Sequence, residues 1–317
     1  MITIGDAFPQ GRAMLTVQVR RTLLVDTEAG PGQLSAASGL VRIGLRLYVV
    51  ADDENKLGMF GLADDQAGTL VRIFDGELPS SRKARKAAKP DLESLALLPA
   101  FPGCPNGALL ALGSGSRIHR QRAALLALDD AGEVDGAVRE LDLSPLYAPL
   151  HARHEQLNIE GAFVSEGAFC LLQRGNEAAP INALIAFDWA ETQAWLRGVG
   201  PAPQPVSSTR YDLGDIDGVP LCFTDGAALP DGGWVFCAAA EATDDNYADG
   251  PCHGSAVGIV AGNGELRTLL PLSLRCKTEG IAVTVESGLL QLLMVTDADD
   301  PDTPALLLGA TLEPPSP

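Results

Sequence analysis

Residues 277–283 read KTEGIAV and residues 158–163 read NIEGAF, so an acidic residue followed by glycine twice leads into an apolar run. A carboxylate at the front of a strand bound for a core is costly to bury unless water or a positive group meets it. The same phrase returns in altered form along the chain: a small or acidic residue, usually Gly or Ser, an apolar strand, a turn, and a second apolar strand with a polar end. SGLVRIGLRLYVVADD starts at Ser38, ESLALLPAFPGCPNGALLALGSGS at Glu93 and EGAFVSEGAFCLLQRGN at Glu160. TDGAALPDGGWVFCAAAE starts at Thr224 and EGIAVTVESGLLQLLMVTDAD at Glu279. These starts lie 55, 67, 64 and 55 residues apart, and a period of about 60 fits a four-stranded blade with long loops.

The rest of each repeat also reads as strand. KLGMFGLA and GTLVRIF follow the first pair, AALLALDD and AVRELDL the second, ALIAFDWA the third, AVGIVAG and ELRTLLPL the fourth, with DDAGEVDG, PDGG and GNGE as turns. Helical character is confined to short turns near PLYAPLHARHEQ and AETQAWL. The last repeat has three strands, ending in PALLLGATL, while MLTVQVRRTLLV near the N-terminus has no partner. If that orphan supplies the outer strand of the last blade, the ring closes and neither end leaves a bare edge. The expected fold is therefore all-β, a single five-bladed β-propeller over 1–317, with six blades as the alternative. Its blades span approximately 38–90, 91–156, 157–221, 222–276, and 277–317 plus 14–26.

The innermost strand of each blade lines the central channel, so Ser38, Glu93, Glu160, Thr224 and Glu279 are expected to form a ring at one mouth. Carboxylates brought that close either protonate or share a cation, and carboxylate and hydroxyl oxygens are hard ligands that favour Ca²⁺. The glycine lets the backbone approach closely.

The polar ends of the second strands fall at the same mouth: Asp52 and Asp53, Ser114 and Ser116, Arg174, Glu241, Asp297 and Asp299. Arg174 suits a phosphate or carboxylate oxygen. GSGSRIHRQR at 113–122 pairs a Gly/Ser turn with Arg117, Arg120 and Arg122, either an anion nest or a solvated hairpin. SSRKARKAAKP at 80–90 is a basic run in an acidic chain, read as a solvated loop or as a guide for anionic substrates. His151 and His154 have a spacing that suits a metal on a helix, or an acid–base role near the rim.

Composition bounds the partners. With 317 residues, 46% of them apolar, and a net charge of −18 at a pI of about 4.5, the chain can bury a large core but lacks the basic surface for nucleic acid or anionic membranes. The first residues lack the basic start and apolar run of a secretion signal, and no apolar run approaches the roughly 18 residues of a membrane span. A cytoplasmic protein is expected. Six scattered cysteines without a C-x-x-C pair read as buried reduced thiols.

The five anchors resemble those of the calcium-activated nucleotidases, the five-bladed apyrase family, in which Ser, Glu, Glu, Ser and Glu from successive blades hold a tunnel calcium. The resemblance assigns those roles to Ser38 in SGL, Glu93 in ESL, Glu160 in EGA, Thr224 in FTD and Glu279 in TEG. The family's Asp-Asp-Arg-Thr-Gly run is DDENKLG here, which keeps Asp52 and Asp53 without the Arg, and its histidine before the third-blade Glu is Ile159. Similar acidic-Gly rings occur in esterase-like, phytase-related propellers. Together with the strand-end residues above, the resemblance leads to the expectation of a Ca²⁺-dependent hydrolase of phosphate or other esters, with Asp52, Arg174 and Arg117 as catalytic groups and a small anionic molecule as substrate. A non-catalytic propeller with structural calcium, binding a small molecule or protein, and a lactonase-like enzyme are the alternatives.

Overall fold

The computed structural model describes residues 13–27, 30–63, 66–244 and 250–314 in full and Ile2–Thr3 as backbone. Five sheets radiate from a common axis as the blades of a propeller. Blade 1 runs from Ala37–Ile43 through Arg46–Ala51 and Lys56–Gly61 to Gly68–Arg72; blade 2 from Leu92–Leu98 through Ala108–Gly113 and Arg122–Leu128 to Val134–Asp142. Blade 3 has Ile159–Ser165, Ala168–Gln173, Asn182–Asp188 and Pro205–Asp212, and blade 4 Val219–Ala228, Trp234–Glu241, Cys252–Val260 and Leu266–Pro271. Blade 5 has Lys277–Glu286, Leu289–Asp297 and Leu306–Leu312, and Gln18–Thr22 completes it by pairing antiparallel with Leu306–Leu312.

The N-terminal stretch does more than this closure. Its expected extent, 14–26, divides at Leu23: Gln18–Thr22 joins blade 5, whereas Leu24–Thr27 pairs parallel with Gly68–Arg72 on the outside of blade 1 and antiparallel with Gly30–Gln33. Leu23, fully buried at the crossover, sits among residues of both blades. One continuous segment therefore stitches the last blade to the first.

The core is not one cluster but five wedges, one between each pair of neighbouring blades. This follows from the inner and second strands being apolar on both faces, as the fully buried runs Ala108–Gly113 and Trp234–Glu241 show. Aromatic residues concentrate between blades 3 and 4, where Trp234 stacks on Phe163 and meets Tyr211 and Phe223 edge-on.

Among the described residues three α-helices decorate the sheets: α1 (Arg82–Ala88) between blades 1 and 2, α2 (Ser144–His151) between blades 2 and 3, and α3 (Trp189–Leu196) in blade 3. The latter two lie at the expected helical turns. Helix α1 corrects the loop reading of the basic run: Ser81 caps it by accepting from the Ala84 N–H, and alanines interleaved with Arg and Lys are strong helix formers. None of the helices is long and apolar enough to cross a membrane. All six cysteines are free thiols.

Candidate functional site: the acidic tunnel mouth

The five anchor residues are structurally equivalent in a specific way. Each is the extra residue of a β-bulge on its blade's inner strand: the register slips between Ala37 and Gly39, opposite Leu112 and Gly113 across Glu93, between Ile159 and Gly161, between Phe223 and Asp225, and between Thr278 and Gly280. A bulge leaves one residue out of the ladder and re-aims its side chain, which is why a carboxylate can stand at the start of an otherwise apolar strand.

The glycines after the bulge answer to the neighbouring blade. A Cβ on Gly39 would lie 2.7 Å from the Leu95 nitrogen of blade 2, and one on Gly280 would lie 2.9 Å from the Leu40 nitrogen of blade 1. A Cβ on Gly161 would come within 3.1 Å of Asp225 Cα and Gly226 N of blade 4. Blade 4 has Asp225 at the equivalent position, and its buried carboxylate accepts from the Gly226 and Ile281 N–H groups at 2.8 and 2.9 Å. Burial still pushes the Asp225 pKa well up.

Above this level lies a well of about 60 Å³, room for a few waters or an ion with its waters. Glu93, Glu160 and Glu279 line it; Ser38 and Thr224 do not. Their hydroxyls donate to backbone carbonyls instead, Ser38 to Ala36 at 3.2 Å and Thr224 to Thr278 at 2.6 Å. The expected five-residue ring is thus three carboxylates, with both hydroxyls turned to the backbone.

A second tier comes from two residues before each bulge, where Asp91, Asn158, Cys222 and Lys277 all line the well. The partner demanded by the glutamate of KTEG is therefore in the same phrase: Lys277 Nζ lies 3.5 Å from Glu279, 3.5 Å from Glu241, 3.9 Å from Asp297 and 3.0 Å from Asp299. Asn158 of NIEG donates to Glu160 Oε1 at 2.5 Å. Sequence reading passed over Lys277 because the bulge is invisible in a period-2 pattern; the shared spacing of K-T-E, N-I-E and D-L-E was the available signal.

The second strands supply the third tier. Arg174, buried, reaches Glu241 at 2.5 Å, Glu160 at 3.3 Å and Glu279 at 3.8 Å, tying blades 3, 4 and 5. Across the well Lys89, just past α1, pairs with Asp52 and lies 3.1 Å from Asp91, which also meets Arg120 at 2.7 Å. Of the GSGSRIHRQR arginines it is thus Arg120, 2% exposed, that enters the site; Arg117 is exposed and outside the well. His151 ends α2 and hydrogen-bonds Gln121, and His154 lies beyond the helix, so neither joins the site.

Charge in the well does not balance, since eight carboxylates face five bases. Burial, then the proximity of Glu160, raises the Glu93 pKa well above the usual range. Burial also raises Glu279 strongly, against the pull of Lys277 and Arg174. Glu241 goes the other way: burial opposes its charge, but Lys277, Arg174 and the Gly250 N–H together hold it at about 2. Glu160 Oε2 and both oxygens of Glu279 are buried and have no hydrogen-bond partner among the described residues. The carboxylate oxygens of Asp52, Asp91 and Glu93 come within 4.8 Å of one another. Asp91 and Asp299 hold left-handed backbone, φ 57° and 53°, a conformation that costs about 1 kcal/mol and persists where surroundings impose it. The well therefore presents carboxylate oxygens, the donor type that a hard cation takes, and Ser38 and Thr224 do not line it.

Outward, the well shares Asp52, Lys86, Lys89, Asp297 and Asp299 with a vestibule of about 330 Å³. Asp53 and Glu54 form part of its wall, with Arg85 4.0 Å from Asp53 and 3.2 Å from Glu54. Burial, then Asp52 and Glu54, raises the Asp53 pKa to about 6.

A protein-family profile described as "Family of unknown function (DUF6929)" matches residues 33–312. No protein of curated function matches the sequence. Among solved structures, the chain is similar to a glycosyl hydrolase from Bacteroides ovatus, with 11% identity and a TM-score of 0.48 over 97% of this chain and 94% of that one. It is also similar to a luciferin-regenerating enzyme, with 8% identity and a TM-score of 0.43 over 90% and 95%. These likenesses are distant and carry no chemistry to this chain.

Proposed function

The chain belongs to the family of unknown function DUF6929, and we propose that it is a calcium-dependent propeller hydrolase that cleaves small phosphate or other esters at its tunnel mouth. The observation that supports this reading is the set of buried oxygens on Glu160 and Glu279 that accept no hydrogen bond among the described residues, in a well whose carboxylates outnumber its bases. Buried negative charge of that kind calls for a cation or for protons. Glu93, Glu160 and Glu279 would hold the ion, and the ion when bound supplies a positive charge that polarises an ester oxygen. Arg174, engaged by three glutamates, positions them rather than meeting substrate. Asp53 lies in the vestibule with a pKa near neutrality and is the group suited to take a proton from water. Asp52, tied to Lys89, orients that wall.

A second reading has an observation of its own. Lys277 and Arg174 already sit among the carboxylates as internal counter-ions, an arrangement that suits a non-catalytic propeller binding a small molecule.

The deciding experiment is the metal content of protein purified without chelator, for wild type, Glu160→Gln and Glu279→Gln, followed by turnover on phosphate esters, carboxylic esters and lactones. One equivalent of calcium, lost in both variants, with turnover abolished by chelator, is the expected result. Calcium without turnover leaves the binding reading; absence of bound metal in wild type, with stability unchanged by millimolar Ca²⁺, ends the hydrolase reading.

A further inference from the structure

At the far end of the blades from the well, a cleft of about 530 Å³ opens between blades 2 and 3. Its floor is apolar: Phe101 and Cys104, from the turn that joins the first two strands of blade 2, meet Leu125 and Ala127 of the third. In a chain with 41 acidic and 23 basic residues, this lining holds two arginines, Arg139 and Arg197, and no carboxylate.

Both walls are fixed by the protein itself. Phe101 and Cys104 exchange backbone hydrogen bonds at 3.1 and 2.9 Å, and the Phe101 ring stands edge-on to Trp189 of α3, 5.9 Å between centroids. Opposite, α3 ends in a Schellman turn: Gly198 takes left-handed backbone at φ 73°, its N–H donates to the Trp195 carbonyl at 2.8 Å, and the Val199 N–H donates to that of Ala194 at 3.0 Å. The Arg197 N–H covers the Gln193 carbonyl at 3.0 Å, and Arg139 reaches across from the outer strand of blade 2 to donate to the Leu196 carbonyl. All four final carbonyls of the helix are thus occupied, which removes the acceptor character that a helix C-terminus otherwise offers a cation. At the rim, the Arg197 side chain is exposed and makes no hydrogen bond or ion pair among the described residues. Arg139 engages only Nη2 there, and Val199 is left 66% exposed.

We propose that this cleft binds a small amphiphilic carboxylate, with its apolar body along Phe101, Leu125 and Val199 and its head on Arg197 and the free edge of Arg139. The site is separate from the tunnel mouth and requires neither calcium nor turnover. Its volume suits a medium-chain or aryl acid, and its mostly apolar lining with a few convergent polar groups is the usual make-up of a small-molecule site. The charge decides the class of ligand. A cationic amphiphile would meet two guanidinium groups, whereas a carboxylate gains charge-assisted hydrogen bonds from them.

The test is isothermal titration calorimetry of the full chain with octanoate, acetate and 1-octanol, in chelator throughout. Wild type should bind octanoate, with acetate at least about a hundredfold weaker for want of an apolar body and octanol about fivefold weaker for want of a charge. R197Q should weaken octanoate about fivefold and leave octanol unchanged, a split that loss of packing alone would not produce. A137W fills the trough from an exposed position on the outer strand of blade 2 and should abolish binding of both. R267Q, in a second apolar cleft between blades 4 and 5, should bind octanoate within about twofold of wild type. Unchanged Tm values for the variants keep a folding defect from mimicking these effects. Lack of octanoate binding by wild type, wild-type affinity in R197Q, or binding that survives A137W overturns the proposal. So does a concentration-dependent dimer on size-exclusion chromatography that A137W dissolves while octanoate leaves it intact, which would assign the cleft to a second copy of the chain.

Discussion

Lys277 stands 3.0–3.9 Å from four carboxylates on blades 4 and 5 and the loop after them. Burial disfavours its charge, but those four acids raise its pKa well above the usual lysine value. Lys277→Met should therefore strand several buried charges and cost about 3–5 kcal/mol in urea unfolding at pH 7. Glu93 behaves oppositely. Its pKa is raised in the folded state, so it opposes folding once ionised, and the penalty grows as pH rises above the unfolded value near 4.3. In calcium-free buffer Glu93→Gln should raise Tm at pH 8 and leave it nearly unchanged at pH 4; an unchanged Tm at both would show that Glu93 is solvated. Glu241, held at about 2 against an ordinary 4.5, contributes on the order of 3 kcal/mol that is present above pH 4.5 and lost as pH falls toward 2. Glu241→Gln should accordingly erase part of the acid sensitivity of the wild type. If Asp53 is the base, turnover should rise through about pH 6, where it loses its proton, and Asp53→Asn should abolish that limb.

At the scale of the element, the bulge and its glycine form one device. The bulge turns the anchor side chain to the axis, and the missing Cβ lets the next blade's backbone close to 2.7–3.1 Å of where that atom would be. Gly280→Ala would place its new methyl 2.7 Å from Val295 Cγ2, a side chain, and also 2.9 and 3.1 Å from Leu40 N and Gly39 C, which are backbone and have little room to give. It should cost several kcal/mol, comparable to overpacking a core, and show as a lowered urea midpoint without change in m. The five anchor positions were legible because apolar alternation on either side kept them in phase. What each anchor side chain does was not legible: whether Thr224 faces a cavity or the Thr278 carbonyl depends on a rotamer, and the sequence carries no trace of it. Helix α1 was misread for a related reason. A run of five bases resembles a solvated loop until the acids it meets, Asp52, Asp53 and Asp91, are brought beside it by blades 1 and 2.

For the whole molecule, the ring depends on one short segment pairing with two blades. Removing residues through Thr22 should uncover the Leu306–Leu312 edge and produce aggregation on size-exclusion chromatography with loss of a single cooperative melt; a monomeric, cooperative truncation would show that the blade wedges alone suffice. Closure by an N-terminal strand was readable from a three-stranded last repeat and an orphan at the other end, but the split at Leu23 was not, because Gln18–Thr22 and Leu24–Thr27 look alike as strand. The same stitch sets a timetable. Gln18–Thr22 leaves the ribosome early and finds its partner only when Leu306–Leu312 has been made, about 290 residues later. At about 5–20 residues per second that is roughly fifteen seconds to a minute of translation. A strand made near the start of the chain thus waits for one made near its end, and the paired arginines of QVRRT, Arg20 and Arg21, give it the charged character that disfavours edge-to-edge pairing with other chains.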